Sequence, residues 1–262
     1  MADLSETIAA MAERNGTYHA APGADWRQGQ TLYGGLSAAL AVHAAERAFP
    51  GLPPLRSAQF AFVGPAAGAL AYRPAMARRG KSSAFVTVAA DGEAGPATQA
   101  LLCYGQARDS ACRCHEVPMP LVAGPEGGVP FFTRPGVPGF SGHFDAMLVE
   151  GRPPVSGAER PFLRVWVRHH DPGPPDGALA LIALGDALPP PALSLFSAFV
   201  PISTMTWSVE LPPNPPMPGD DWYLFESRGE VIGDGYAIQD MKLWHADGRL
   251  ALVGRQTVAL YG

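Results

Sequence analysis

Two segments of the chain are apolar on almost every face. The first, residues 33–49, has the sequence YGGLSAALAVHAAERAF, and the second, residues 177–188, has the sequence GALALIALGDAL and stops at three prolines. A helix without a polar face is normally surrounded by other elements of the fold. We therefore predict two buried helices, one in each half of the chain.

Short runs rich in β-branched and aromatic residues follow or flank each predicted helix. In the first half these runs are SAQFAFVG, GALAYRPAMARR, SSAFVTVAADG and TQALLCYG. In the second half they are FLRVWVRHH, TMTWSVEL, DWYLFESRGEV, GYAIQDMKLWH and RLALVGRQTVALYG. Such runs, separated by turn residues, predict antiparallel strands joined by short turns. A helix followed by a set of antiparallel strands indicates the α+β class.

The second half repeats the order of elements of the first. The strand end at Phe62 parallels that at Val209, and an Asp-Gly pair precedes the last strand of each half. Duplication over this many elements predicts two copies of one helix-and-sheet unit. The simplest arrangement joins their sheets edge to edge. We expect the copies at residues 1–107 and 159–262, with the Pro- and Gly-rich residues 108–158 as an irregular linker.

Composition and charge narrow the functional classes. The chain has 262 residues, of which 47% are hydrophobic and 16% charged, as in a globular protein. The net charge of −5 provides no basic field, so we expect no nucleic-acid partner. The N-terminal segment lacks the basic-then-apolar order of a signal peptide, and no apolar run is long enough to span a bilayer. We expect a cytoplasmic protein without a membrane partner.

The chain lacks the usual cofactor-binding and nucleophile motifs. The three cysteines fit a reducing compartment, and the Cys112–His115 cluster has no second cysteine pair to complete a metal site. RRGKSS lacks the spacing of a phosphate-binding loop, and there is no G-x-S-x-G motif. The sequence therefore predicts neither a metal, a cofactor nor a serine nucleophile.

One charged residue, Asp186, interrupts the second apolar helix. An unpaired buried carboxylate is costly, and a negative charge near a helix C-terminus opposes the macrodipole. The position is explained either by an exposed helix end or by catalysis. A partly desolvated aspartate has a raised pKa, which suits a general base.

Gln256 lies in an apolar predicted strand. Its side chain is either a hydrogen-bonded structural residue of the sheet or a catalytic group. The repeat provides a comparison, because Ala100 follows Asp91 by nine residues, as Gln256 follows Asp247. The first helix has only apolar residues near the position that corresponds to Asp186. Only the second copy is therefore predicted to carry the chemistry.

The chain resembles the acyl-CoA thioesterase II family, whose fold is a double hotdog. The resemblance rests on TLYGGLSAAL at the first helix, on Asp186, and on DGRLALVGRQ, in which Asp247, Gly248, Leu250 and Gln256 have the spacing of the family. It covers nearly the whole chain. It implies two tandem repeats, each with an antiparallel sheet wrapped around a central apolar helix.

The resemblance also implies a substrate and a mechanism. The substrate is a fatty acyl-CoA, whose thioester is hydrolysed by a water held between Asp186, Gln256 and a hydroxyl group, without a metal or covalent nucleophile. Our alignment puts Ser203 where the family has threonine, with Thr204 beside it. Neighbours on a strand face opposite ways, so only one can enter the site, and we favour Ser203.

Two further groups are candidates for substrate binding. The backbone amides of Gly34 and Gly35 could stabilise the oxyanion formed from the thioester carbonyl, although two glycines also permit close helix packing. Arg78, Arg79 and Lys81 form the densest basic group and could bind the phosphates of CoA, or could be a solvated turn.

Two other functions remain open. An acyl-CoA hydratase or dehydratase needs a histidine beside the acid, yet the second helix and the last strand contain none, and His245 lies in a predicted turn. A catalytically weak acyl-CoA-binding protein is supported by the departure at Ser203. Whichever of the three functions applies, we expect a homo-oligomer, because sheets of this kind commonly associate.

Overall fold

The computed structural model describes residues 1–133, 136–213 and 217–262, so Arg134 and Pro135 of the predicted linker lie outside the described residues. The α-helices are α1 (Leu4–Ala9), α2 (Gly34–Ala48) and α3 (Ala178–Leu184). Short 3₁₀ helices lie at Ala24–Trp26, Pro125–Gly127, Gly139–His143 and Pro191–Leu195. The strands are β1 (Ala12–Arg14), β2 (Thr17–Ala20), β3 (Arg27–Gln28), β4 (Thr31–Leu32), β5 (Leu55–Phe62), β6 (Leu70–Arg79), β7 (Ser83–Gly92), β8 (Gly95–Gly105), β9 (Val129–Pro130), β10 (Phe144–Gly151), β11 (Phe162–His169), β12 (Ile202–Glu210), β13 (Tyr223–Gly233), β14 (Tyr236–His245) and β15 (Leu250–Leu260).

One antiparallel sheet runs through the whole described structure. Its strand order is β1-β2-β6-β7-β8-β5-β12-β15-β14-β13-β11-β10-β9. The order β2-β6-β7-β8-β5 of the first half returns in reverse as β12-β15-β14-β13-β11 of the second. The halves meet where β5 pairs with β12, with Phe60 opposite Trp207. The predicted α+β fold, with two sheets joined edge to edge, is therefore confirmed.

Both long apolar segments form helices inside this sheet. Leu36, Leu40 and Val42 of α2 and Ile182 of α3 are fully buried, and both helices belong to one hydrophobic cluster with the inner face of the sheet. Complete burial of each such side chain contributes about 1.5–3 kcal/mol. α3 is shorter than predicted, because it ends at Leu184 with Gly185 as its C-cap. Asp186 therefore follows the helix instead of lying on it.

The segment at residues 108–158 contains more regular structure than predicted. Phe144–Gly151 forms β10, which pairs with β11 at one side of the sheet. Pro and Gly are frequent before this strand but not within it. The average composition of the segment therefore predicted an irregular linker where a strand forms. The stretch before β9 crosses the outer face of the second half, where Val117 and Ala123 accept hydrogen bonds from the indoles of Trp244 and Trp166.

The Asp-Gly pairs of the two halves do not occupy matching turns. Asp91 and Gly92 lie within β7, opposite Pro96 and Gly95, whereas the pair that begins at Asp247 lies in the turn between β14 and β15. The hairpin of the first half therefore turns at a different place from that of the second. The prediction that these two Asp-Gly pairs occupy equivalent turns is therefore wrong.

Candidate active site

The structure brings together Asp186 and Gln256. The Nε2 atom of Gln256 donates a hydrogen bond of 2.6 Å to Oδ1 of Asp186. Gln256 is 2% exposed and lies on β15 opposite the buried Trp207, so its side chain faces the helices. Asp186 is half-buried directly after α3. An aspartate and a glutamine that are 70 residues apart in sequence thus form one polar contact inside an apolar core.

Burial dominates the electrostatics of Asp186. Desolvation raises the pKa of this carboxyl group to about 7, although the hydrogen bond from Gln256 and the backbone amide of Gly35 both lower it. The N-terminus of a helix favours a nearby negative charge, so the start of α2 offsets part of the cost of the carboxylate. The group consequently changes its charge near neutral pH.

Two glycines allow α2 to approach Asp186 closely. A Cβ atom on Gly34 would lie 2.7 Å from Oδ2 of Asp186, and one on Gly35 would lie 2.6 Å from the hydroxyl oxygen of Tyr33. The packing explanation for both glycines is therefore supported. The Gly35 amide faces the Asp186 carboxylate, and the role of these amides as oxyanion donors stays a prediction.

Tyr33, immediately before the glycines, joins the two helices at the site. Its hydroxyl group donates a hydrogen bond of 2.7 Å to the backbone oxygen of Ala183, at the end of α3. Burial and the neighbouring charge of Asp186 raise the pKa of Tyr33, so its hydroxyl group is neutral. Tyr33 is not among the site residues predicted from the sequence, although an aromatic residue before a Gly-Gly pair at a helix start is a visible signal.

The register of β12 decides which hydroxyl group faces the site. A bulge at Met205 separates Thr204, opposite Val258, from Thr206, opposite Thr257. Residues opposite each other on a ladder share a face, and Val258 is two residues from Gln256, so Thr204 lies on the inner face. Ser203 lies on the other face and is exposed. The register therefore turns Thr204, and not the favoured Ser203, toward the inner face, and which of the two hydroxyl groups acts stays a prediction.

Neither of these two hydroxyl groups completes the site by a direct contact. Among residues 1–133, 136–213 and 217–262, no hydrogen bond joins Ser203 or Thr204 to Asp186 or Gln256. Thr204 is half-buried and lies two ladder positions from the Gln256 side chain on the same face.

The basic group is placed at the opposite end of α2. Arg78, Arg79 and Lys81 lie at the exposed β6–β7 hairpin, where Nη2 of Arg79 donates to the backbone oxygen of Gly51, just after the C-terminus of α2. Asp186 lies at the N-terminus of this 15-residue helix, which spans about 22 Å. The structure does not bring these cations to Asp186, and their contact with CoA stays a prediction.

A second buried amide lies behind Gln256. Nε2 of Gln239 donates a hydrogen bond of 2.8 Å to Oε1 of Gln256, from the neighbouring strand β14. Gln239 is 1% exposed. Gln239 is not among the site residues predicted from the sequence, yet it is the polar residue at an inward position of GYAIQDMKLWH, between Ala237 and Met241. An interruption of an apolar alternation was the signal that could have found it.

Two functional classes receive no support from the described part of the chain. It holds no group of three or more His, Cys, Asp or Glu side chains placed to bind a metal ion, and Cys112 and Cys114 are exposed. No helix within the described residues has the length and apolar character needed to cross a membrane.

Comparison with known protein families covers both halves of the chain. A sequence model of the acyl-CoA thioesterase C-terminal domain matches residues 115–260, and a model of the N-terminal domain matches residues 22–105. A search of curated proteins found no match.

Solved structures share the fold over its full length. A hot dog fold protein of unknown function from Alicyclobacillus acidocaldarius has a TM-score of 0.86 at 23% identity, covering 98% of this chain and 97% of its own. A putative thioesterase II from Thermobifida fusca YX has a TM-score of 0.82 at 20% identity, covering 100% and 98%. An acyl-CoA thioesterase II from Mycobacterium marinum has a TM-score of 0.77 at 19% identity, covering 98% of each chain. The chain therefore belongs to the acyl-CoA thioesterase family and is a thioesterase with a double hotdog fold.

Proposed function

We propose that this thioesterase hydrolyses fatty acyl-CoA to a free fatty acid and CoA, with Asp186 as the general base. The observation that carries the proposal is the 2.6 Å hydrogen bond from Gln256 to Asp186 at the N-terminus of α2. Burial raises the pKa of Asp186 to about 7. A base whose pKa lies near the working pH combines a useful ionised fraction with a strong affinity for the proton of water.

The proposed reaction has two steps. A water held by Asp186 and Gln256 attacks the thioester carbonyl carbon, and Asp186 takes one proton from that water. The carbonyl oxygen becomes an oxyanion, for which the Gly34 amide is the proposed donor, because the Gly35 amide already bonds to Asp186. The C–S bond then breaks, the C=O bond re-forms, and Asp186 returns its proton to the sulfur of CoA. No metal or covalent intermediate is required.

The remaining groups have supporting roles in this proposal. The hydroxyl group of Thr204, on the inner face of β12, is the better candidate to assist in orienting the water, and Ser203 faces away from the site. Arg78, Arg79 and Lys81 could bind only a part of CoA that extends to the far end of α2, because they lie at the opposite end from Asp186.

Among the described residues, no hydrogen bond or ion pair joins a histidine to Asp186, so the hydratase alternative lacks a histidine partner for the acid. His245 is held between two other carboxylates, with Nε2 3.0 Å from Asp221 and Nδ1 2.9 Å from Asp247. Its two ring nitrogens are therefore engaged at the β14–β15 turn, away from Asp186.

The first test is thiol release from a panel of saturated and 2-enoyl acyl-CoAs, from short to long. We expect stoichiometric free CoA and fatty acid, and a rate that rises with pH through about 7 as Asp186 ionises. Reaction in ¹⁸O-labelled water should place one labelled oxygen in the fatty acid. Tight acyl-CoA binding without thiol release would favour a binding protein, and water addition to 2-enoyl-CoA without thiol release would favour a hydratase.

A further inference from the structure

The amide of Gln256 must point in one direction for the site to work. An ionised carboxylate only accepts hydrogen bonds, so Gln256 has to present Nε2, and not Oε1, to Asp186. Once Asp186 has taken a proton, its new O–H group could donate to a carbonyl oxygen. A Gln256 amide that turned over would then accept this bond and retain the proton on Asp186.

Gln239 is placed to prevent that rotation. Its Nε2 atom donates to Oε1 of Gln256 over 2.8 Å and to Sδ of Met241 over 3.8 Å, which holds the direction of the Gln239 amide. Turning the Gln256 amide would then bring Nε2 of Gln256 against a second N–H donor. The three side chains therefore form a chain of hydrogen bonds with one polarity, from Gln239 through Gln256 to Asp186.

The burial of Gln239 carries a cost that packing alone does not explain. Gln239 is 1% exposed, and among the described residues its Oε1 atom has no hydrogen-bond partner. A buried polar atom without a partner is unfavourable, and an apolar residue would avoid it. The first half of the chain does so, because Val88 and Ala100 lie opposite each other where the second half pairs Gln239 with Gln256.

We propose that Gln239 is a positioning residue, which fixes the direction of the Gln256 amide and so keeps Asp186 able to release its proton. The inference rests on the proposed function of Asp186 and deepens it. Within the described residues, the titratable side chain that interacts with Asp186 is that of Tyr33, whose hydroxyl group is neutral. The charged side chains of β14 and β15 lie on the outer face and pair there, Lys242 with Asp240 and Arg255 with Glu230.

The test measures the titration of Asp186 directly, by NMR of protein labelled with ¹³C at the aspartate side-chain carboxyl, with Asp186→Asn to assign the signal. Gln239→Met removes the donor at similar volume, and Gln239→Val introduces the residue of the first half. We expect both to raise the pKa of Asp186 by about one unit. The turnover rate at neutral pH should fall roughly three- to tenfold and recover at higher pH, with KM changed less than about twofold.

Two controls separate positioning from a general structural effect. Ser227→Ala removes another buried polar group without a partner in the described residues, on the adjacent β13, and should leave the titration unchanged. Gln239→Met in a Gln256→Ala background should cause no further shift, because the residue through which Gln239 acts is gone.

The outcomes of the two readouts are distinct. A titration of Asp186 that is the same in folded Gln239→Met, Gln239→Val and wild type would overturn the role of Gln239. A shift that persists in the Gln256→Ala background would overturn it as well. Unchanged hydrolysis by Asp186→Asn would instead remove the proposed base, and the NMR titration would still decide whether Gln239 acts on Asp186.

Discussion

The two halves of the chain have the same order of strands around a central helix, but their cores differ at matching places on the ladder. Phe60 and Trp207 face each other across the junction of the halves. In the first half, Phe60 on β5 also lies opposite Ala100 on β8. In the second half, Trp207 on β12 lies opposite Gln256 on β15. The same scaffold thus holds a small apolar residue in one half and an amide in the other.

The helices of the two halves also contribute differently. The first half supplies a helix N-terminus whose glycines admit a carboxylate, and the second half supplies the carboxylate. The first half has a carboxyl group of its own, Glu46 near the end of α2, whose pKa burial also raises to about 7. Among the described residues Glu46 has no side-chain hydrogen bond, whereas Asp186 has Gln256. The two carboxyl groups thus share a raised pKa and differ in their hydrogen-bond partners, which favours Asp186 over Glu46 as the proposed base.

The largest expected effect separates these two carboxyl groups. Asp186→Asn should lower kcat/KM for acyl-CoA by about a thousandfold or more, because the amide cannot take a proton from water. Thiol release under steady-state conditions measures this.

The matched variant is Glu46→Gln, which neutralises the other carboxyl group with a raised pKa. It should retain activity within about twofold of wild type. Equal losses in the two variants would contradict the assignment of the base to the second half.

The next effect concerns the amide. Gln256→Ala, which gives β15 the residue that β8 has at the matching position, should lower kcat about a hundredfold through loss of the donor that orients the water. The exchanged variant Ala100→Gln, in the first half, should bring no new activity to Asp186→Asn. Restored turnover in that double variant would show that the halves are functionally interchangeable.

Much of this comparison was accessible from the sequence. The all-round apolar helix α2, the alternating strands and the difference between Ala100 and Gln256 follow from hydrophobic pattern and internal repetition. The side of the sheet on which Thr204 lies could not be predicted. A one-residue bulge at Met205 exchanges the inward and outward positions along β12. The strand β10 could not be predicted either. It is stabilised by pairing with β11, and the Pro- and Gly-rich sequence around it gives no sign of that pairing.

A smaller effect on turnover tests the contribution of the first half, the close approach of α2 to Asp186 at Gly34. Gly34→Ala places a methyl group 2.7 Å from Oδ2 of Asp186, so the carboxylate must move away from its partners. We expect about a tenfold lower kcat with a cost of about 1–3 kcal/mol in the free energy of unfolding. The control is Gly233→Ala, where an added Cβ meets no atom within 4 Å. Similar activity losses in both would refute a specific contact at Gly34.

The smallest effect is on stability and its sign follows from the raised pKa. In the unfolded chain an aspartate titrates near pH 4, and in the folded protein Asp186 titrates at about 7. The folded state therefore binds the proton more tightly, and stability falls as pH rises from about 4 to 7 and then levels off.

The Asp186→Asn variant has no carboxyl group to ionise at this position, so its stability does not fall between about pH 4 and about pH 7 for this reason. It should be more stable than wild type at about pH 8 by roughly 1–2 kcal/mol, less than the full three-unit shift implies because Asp186 is partly exposed, and nearly equal to it at about pH 4. Chemical denaturation at the two pH values measures this. A stability difference that does not change with pH would contradict a raised pKa of Asp186 in the folded state.

The pairing of β5 with β12 has a consequence for how the enzyme behaves at low concentration. The glycines and the carboxylate come from two units that one polypeptide keeps together, so their encounter is intramolecular, with an effective concentration of about millimolar or more. Dilution therefore cannot separate Gly34 from Asp186. Each molecule carries an assembled pair of units at any concentration, as a dimer of two separate hotdog chains would not.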